Sequence, residues 1–154
     1  MSKFFIGAGI ILFSLQSAAG ASNTTLKCSS ADKKIRVDGQ VPGDLAEFDL
    51  KVFNGGRESR FFSFVNQTTL QTEENASVKI VEDLDVGVYT LAANTRNSPL
   101  SLSLELYAIP STLKKTKIPN GARSSFEAKM VFFSNEFAAG PLKKRLNCTT
   151  FRQF

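Results

Sequence analysis

Leu100-Ser101-Leu102-Ser103-Leu104-Glu105-Leu106 alternates apolar and polar side chains without a break. Successive side chains of a strand point to opposite faces, so this stretch reads as a strand with one face on a core and one on water. Ala46-Phe48-Leu50-Val52 and Phe126-Ala128-Met130-Phe132 repeat the pattern, with mostly polar residues between. Outward from these, further strands are predicted at Thr25 to Ser29, Ile35 to Val41, Arg60 to Val65, Ser77 to Glu82, Val88 to Ala93 and Leu146 to Phe151. Pro42-Gly43-Asp44, Asn54-Gly55-Gly56, Asn97-Ser98-Pro99, Pro119-Asn120-Gly121 and Gly140-Pro141 separate them with residues whose φ preferences make turns. No helical pattern runs longer than two turns. About eight or nine short strands, spaced at roughly 8 to 12 residues, predict an all-β fold, an antiparallel β-sandwich of immunoglobulin-like or jelly-roll-like form.

The ends of the chain bound its compartment. Lys3, the apolar run Phe4 to Leu15 and the small residues up to Ala21 have the form of a signal peptide, residues 1–21, with Ala19-Gly20-Ala21 as the cleavage site. The apolar run falls well short of the roughly 20 residues a membrane-crossing helix needs, so no membrane span is expected. Removing 21 of 154 residues leaves 133, residues 22–154, enough for a single β-sandwich domain. Cys28 and Cys148 sit near opposite ends of that domain, and in an oxidising compartment they are expected to bond to each other; two free thiols or an intermolecular bridge are the alternatives. The chain-entropy model assigns such a closure roughly 4 to 5 kcal/mol.

The formal charge is +5, or +4 once Lys3 leaves with the signal. Lys114 to Lys117 and Lys143 to Arg145 are the basic clusters. Neither is interleaved with aromatics, so no nucleic-acid partner is expected, and a solvated strand edge or loop is the plainer reading. Weak attraction to an anionic envelope polymer or an acidic protein is the functional one. Phe61-Phe62 breaks the alternation, because adjacent residues of a strand face opposite ways. A strand covered on both sides explains that, as does a partner-binding patch.

Three stretches resemble known families. Leu84-Asp85-Val86-Gly87-Val88-Tyr89-Thr90-Leu91 has the form L-x-x-G-x-Y-x-L and resembles the tyrosine-corner strand of immunoglobulin-like sandwiches. The resemblance implies that Leu84, Gly87 and Tyr89 form a structural corner in which the tyrosine hydroxyl bonds back to upstream backbone. Glu47-Phe48-Asp49-Leu50-Lys51-Val52 is similar to the D-x-D-L-x-V segment of bacterial pre-peptidase C-terminal domains, small secreted jelly-roll-like sandwiches. Together the likeness covers about residues 35–108; it implies a fold and carries no activity. Asn120-Gly121-Ala122-Arg123 is similar to the S-G-A-x-Y loop of periplasmic inhibitors of c-type lysozyme, with Ser124 where the tyrosine belongs.

Catalytic chemistry is sparse. The chain has no histidine, which removes the commonest general base and zinc ligand. With both cysteines expected in a bridge, no thiol nucleophile remains. No phosphate-binding or nucleophile-elbow motif occurs. Glu82-Asp83-Leu84-Asp85 is the densest carboxylate group; it misses the calcium-loop spacing, and as an acid–base pair for sugar hydrolysis it would have to converge in a cleft. Sequons at Asn23, Asn66, Asn75 and Asn147 matter only in a eukaryotic secretory pathway. The expectation is therefore an exported, periplasmic or secreted, non-catalytic binding or structural module of a bacterial envelope, a monomer without metal or cofactor. Its contact residues would be Phe61, Phe62, Asn120, Gly121 and Arg123, the partner an unknown protein or envelope polymer. The alternative is an inhibitor of an envelope hydrolase acting through residues 120–123.

Overall fold

The structure is a computed structural model that describes residues 24–41, 47–96, 98–136 and 139–153. The expected signal peptide, residues 1–21, lies outside them, as do the Pro42-Gly43-Asp44 turn and Asn97. Eleven strands run along the described residues: β1 (Thr24–Ser29), β2 (Ile35–Val41), β3 (Phe48–Asn54), β4 (Arg57–Val65), β5 (Thr72–Glu74), β6 (Ala76–Asp83), β7 (Val88–Thr95), β8 (Leu102–Ala108), β9 (Lys114–Ile118), β10 (Gly121–Ser134) and β11 (Leu142–Gln153). A single 3₁₀ turn, Pro110–Thr112, joins β8 to β9. No helix among them is long and apolar enough to cross a membrane.

All pairings are antiparallel, and Cys28 and Cys148 form a disulfide, as expected. The predicted division into two sheets gives way to one continuous sheet, ordered β5-β4-β3-β2-β1-β11-β10-β8-β7-β6, with β9 added beside β10. The two end regions of the sheet approach each other, because β4 packs against β6, so the sheet is nearly closed into a barrel. Asn75 makes the join. Its backbone N–H donates to Phe62 O at 3.1 Å, its Nδ2 donates to Arg60 O at 2.9 Å, and Phe62 N–H donates to its Oδ1 at 2.8 Å. Curling a twisted sheet until its edges meet removes the unpaired backbone groups that an open sheet would leave at both ends.

The alternation read from the sequence becomes inside and outside. Leu26, Val37, Leu50, Phe61, Leu91, Leu104, Met130 and Leu146 are fully enclosed, and the residues between them face out. Hairpin turns follow their chemistry. Gly55 and Gly56 both take positive φ, which the two-residue link between β3 and β4 demands. Pro119 and Asn120, with Asn120 at φ 59°, link β9 to β10 in the Pro-then-left-handed pattern of a type II turn.

The adjacent phenylalanines separate as the strand geometry requires. Phe61 is 0% exposed inside the barrel, whereas Phe62 is half-buried outside. There Phe62 stacks on Phe64 with ring centroids 5.5 Å apart, under the Arg60 guanidinium. Phe62 is therefore covered by its own strand's neighbours rather than left bare.

Three substitutions test this packing. Phe61→Ala should cost about 3 to 5 kcal/mol in chemical denaturation through the cavity it leaves, and Phe62→Ser only about 1 kcal/mol. Asn75→Ala should cost about 1 to 3 kcal/mol, because two side-chain hydrogen bonds across the join are lost; hydrogen exchange should show the β4 and β6 amides less protected while those of β1 and β11 stay unchanged.

Candidate functional site

β10 changes partner halfway along. Ala128 to Ser134 pair with β8, and Gly121 to Ser125 pair with β9. At the switch, Ile109 N–H donates to Glu127 O at 2.7 Å, and Glu127 N–H donates to Thr112 Oγ1 at 2.9 Å. β9 thus leaves the line of β8, and the end of the barrel beside it opens into a mouth between β9 and the β6–β7 turn. Side chains span this mouth: Lys115 Nζ donates to Asp85 Oδ1 at 2.5 Å. Gly87 permits the close packing of that turn, with φ 78° and with Pro110 Cβ 3.0 Å from where a Gly87 Cβ would stand.

The inward residues form layers set by strand register. Thr24, Arg152 and Ala122 are neighbours across β1, β11 and β10 nearest the mouth. Leu26, Thr150 and Ser124 lie one layer in, and Cys28, Cys148 and Phe126 one layer further. Across the barrel Glu82 pairs with Tyr89 in the β6–β7 ladder. Arg152 reaches over to join the sides, donating to Glu82 Oε2 at 2.7 Å and to Thr24 Oγ1 at 3.2 Å. Glu82 is largely withdrawn from water, its side chain 18% exposed against 36% for Arg152. Removing one partner of such a pair would leave the other charge poorly solvated.

Tyr89 lies under this pair, 2% exposed, with its ring 5.1 Å from that of Phe126. Its hydroxyl is buried and has no hydrogen-bond partner among the described residues. Burial pushes its pKa well above the ordinary phenol range; the Glu82 charge adds to the effect and the Arg152 charge opposes it. The group is therefore a protonated donor without an acceptor. The implied tyrosine-corner bond is not formed, because the ring runs across the interior to Phe126 instead of back along its own hairpin. Leu84 and Gly87 keep the turn part of the motif.

A cavity of about 760 Å³ occupies the mouth, lined by Glu82, Leu84, Ser124, Thr150 and Arg152 from the barrel and by Lys115 to Ile118 from β9. Ser124 and Thr150 are buried on its inner wall. The carboxylate group does converge here, yet each member has a structural task. Glu82 holds Arg152, Asp83 Oδ1 accepts from the backbone N–H groups of Asp85 and Val86, and Asp85 holds Lys115. The Lys115 ammonium beside Asp85 moves its carboxyl below the usual range, the opposite of what a general acid needs.

The other sequence candidates fall apart in space. Gly121 and Ala122 line the mouth, whereas Arg123 is exposed on the outer surface beside Thr25 and Lys27. Gly121 is there for close approach: a Cβ on it would stand 2.4 Å from Arg152 O. Phe61 and Phe62 belong to β4, whose strand contributes nothing to the mouth. Thr150 lies within the strand expected from Leu146 to Phe151 and Arg152 just beyond it, and neither was among the sequence candidates. Their polarity at the strand's end was the available signal, since inward polar side chains at the end of a strand mark where a core stops being dry. Compared with protein-family models, curated proteins and solved structures, the chain matches none.

The Tyr89 assignment makes a pH prediction. A phenol whose folded-state pKa is raised contributes stability that is intact below the unfolded value, about 10, and is lost as pH rises beyond it. The fall in stability above that pH should be shallower in Tyr89→Phe than in the parent protein, and at pH 7 the substitution should cost nothing, because no hydrogen bond is broken. A drop in melting temperature at pH 7 would show that the hydroxyl is satisfied.

Proposed function

We propose that the chain is an exported, non-catalytic binding module of the bacterial cell envelope that takes a small polar ligand into the mouth of its barrel. The observation that carries this is the Tyr89 hydroxyl, a buried donor without an acceptor. The Glu82 and Arg152 charges act on that hydroxyl, and both residues line a cavity whose volume suits a small molecule, with the Tyr89 hydroxyl enclosed behind its wall. Leaving a buried donor unsatisfied costs about 1 to 3 kcal/mol, and a ligand oxygen reaching it would recover that cost. Ser124 and Thr150 add hydroxyls on the same wall, and Arg152 keeps N–H groups beyond those given to Glu82 and Thr24. An acceptor-rich ligand such as a hydroxy acid, an amino acid or a sugar fits this set.

Export is supported by the Cys28–Cys148 bond, which persists in oxidising compartments, and by the signal-like residues 1–21. The barrel turns its apolar side chains inward and charged ones outward, the reverse of a lipid-facing barrel. A binding role is supported by the absence of histidine from the chain and by the structural engagement of the carboxylates at the mouth.

Thermal denaturation of the mature chain against a panel of hydroxy acids, amino acids and monosaccharides tests the reading. A ligand present at 100 times its Kd adds about 2.7 kcal/mol to stability, so a binder should raise the melting temperature by several degrees. Tyr89→Phe and Arg152→Met should each remove the shift. A shift that survives both substitutions would place the ligand elsewhere.

A further inference from the structure

The outward face of β2, β1, β11 and β10 gathers charge that is scattered in the sequence. Burial alternates along these strands, and the outward positions include Arg36, Lys27, Arg123, Lys129, Lys143 and Arg145. Lys114 of β9 flanks them, opposite Ser125 in register. Only two carboxylates share the face: Asp38, opposite Lys27 in register, and Glu127, paired with Arg145. The face thus carries a net charge of +5, seven cations against two anions. The remaining described residues carry eleven cations and eleven anions and sum to zero. All of the excess positive charge among the described residues lies on this one side of the barrel.

A second feature lies within the face. A shallow groove of about 640 Å³ runs over the disulfide-bearing strands, with Lys27, Arg36 and Lys114 at its sides. Its surface presents Ser29, Ser125, Asn147 and Thr149, short hydroxyl and amide side chains, and both carboxylates of the face, Asp38 and Glu127, line it too, so three cations there meet two anions. Such groups exchange hydrogen bonds with hydroxylated ligands, and the flanking cations meet negative groups. Neighbouring outward side chains stand roughly 5 Å apart across strands and about 7 Å apart along them, so the cations form a two-dimensional grid suited to repeated charges on a polymer.

We propose that this face binds an acidic polysaccharide, with the groove between Lys27, Arg36 and Lys114 seating its sugars. The inference is independent of the ligand at the mouth. The chemistry of the groove separates the polymer from other anionic partners. A membrane surface is held by apolar side chains that insert as well as by charge, and the groove offers hydroxyls and amides instead. A protein partner would call for central aromatic or apolar anchors, and single-stranded nucleic acid for stacking aromatics between the cations; the outward aromatics of this face, Phe133 and Phe151, lie outside the groove.

Binding of the mature chain to dextran sulfate and to polygalacturonate, with neutral dextran and phosphatidylglycerol vesicles in parallel, tests the proposal. Both acidic polymers should bind, neutral dextran should not, and affinity should fall steeply with added salt. Lys27→Glu with Arg36→Glu should weaken binding about tenfold or more. Lys79→Glu with Arg57→Glu, the same charge change on exposed residues elsewhere, should leave it within about twofold. Lys129→Glu with Lys143→Glu serves as a second pair on the face should the first fail to fold. Equal losses in the face and control pairs, vesicle binding without polymer binding, or no binding to either polymer would each overturn the proposal.

Discussion

The ladder between β1 and β11 is the interaction on which the rest of the molecule depends. Strands β1 to β5 form one run of hairpin neighbours, and β6 to β11 form another run, in which β8 pairs with β10 and β9 is added beside β10. The continuous sheet exists because the first strand of one run pairs with the last strand of the other, from Thr24 opposite Arg152 to Ser29 opposite Asn147. This contact joins residues more than a hundred positions apart, so the chain must lose a large loop entropy before it gains anything. The Cys28–Cys148 bond sits within that ladder and limits how far the unfolded ends can separate. At the opposite side of the barrel, Asn75 makes a smaller join between β4 and β6.

Both candidate surfaces straddle this seam. At the mouth, Thr24 comes from the first run and Arg152 and Glu82 from the second, and the guanidinium ties the three together. On the outer face, Lys27 and Arg36 come from the first run, while Arg123, Lys129, Lys143 and Arg145 come from the second. The mouth takes only Thr24 from the first run, whereas the groove on the outer face needs residues of both. Folding across the seam therefore assembles the core, the polar mouth and the basic face together, and the buried Tyr89–Phe126 contact sits behind the first of these.

The polar mouth also shows how a small barrel accommodates groups that a dry core would reject. Arg152 and Glu82 are tolerated because they neutralise each other near the opening, where water still reaches the guanidinium. Ser124 and Thr150 are tolerated because they face the cavity. Tyr89 is the exception, a donor enclosed without an acceptor.

Sequence alone determined the parts that depend on neighbouring residues. Period-two alternation located most of the strands, because a pleated chain at an interface must place every second side chain in the core. Gly55-Gly56 and Pro119-Asn120 announced their turns, because few residues accept those φ values. The compartment argument paired the two cysteines. Three things were decided by tertiary structure. A single, nearly closed sheet stands where two stacked ones were expected, because alternation states which face is buried but not whether that face curls onto itself or meets a second sheet. β9 escaped the pattern because Lys114 to Lys117 are all exposed and place no apolar side chain in the core. The site emerged from register and curvature together: the alignment of β1 with β11 sets Thr24 beside Arg152, that of β6 with β7 sets Glu82 beside Tyr89, and the curling of the sheet brings Arg152 across to Glu82.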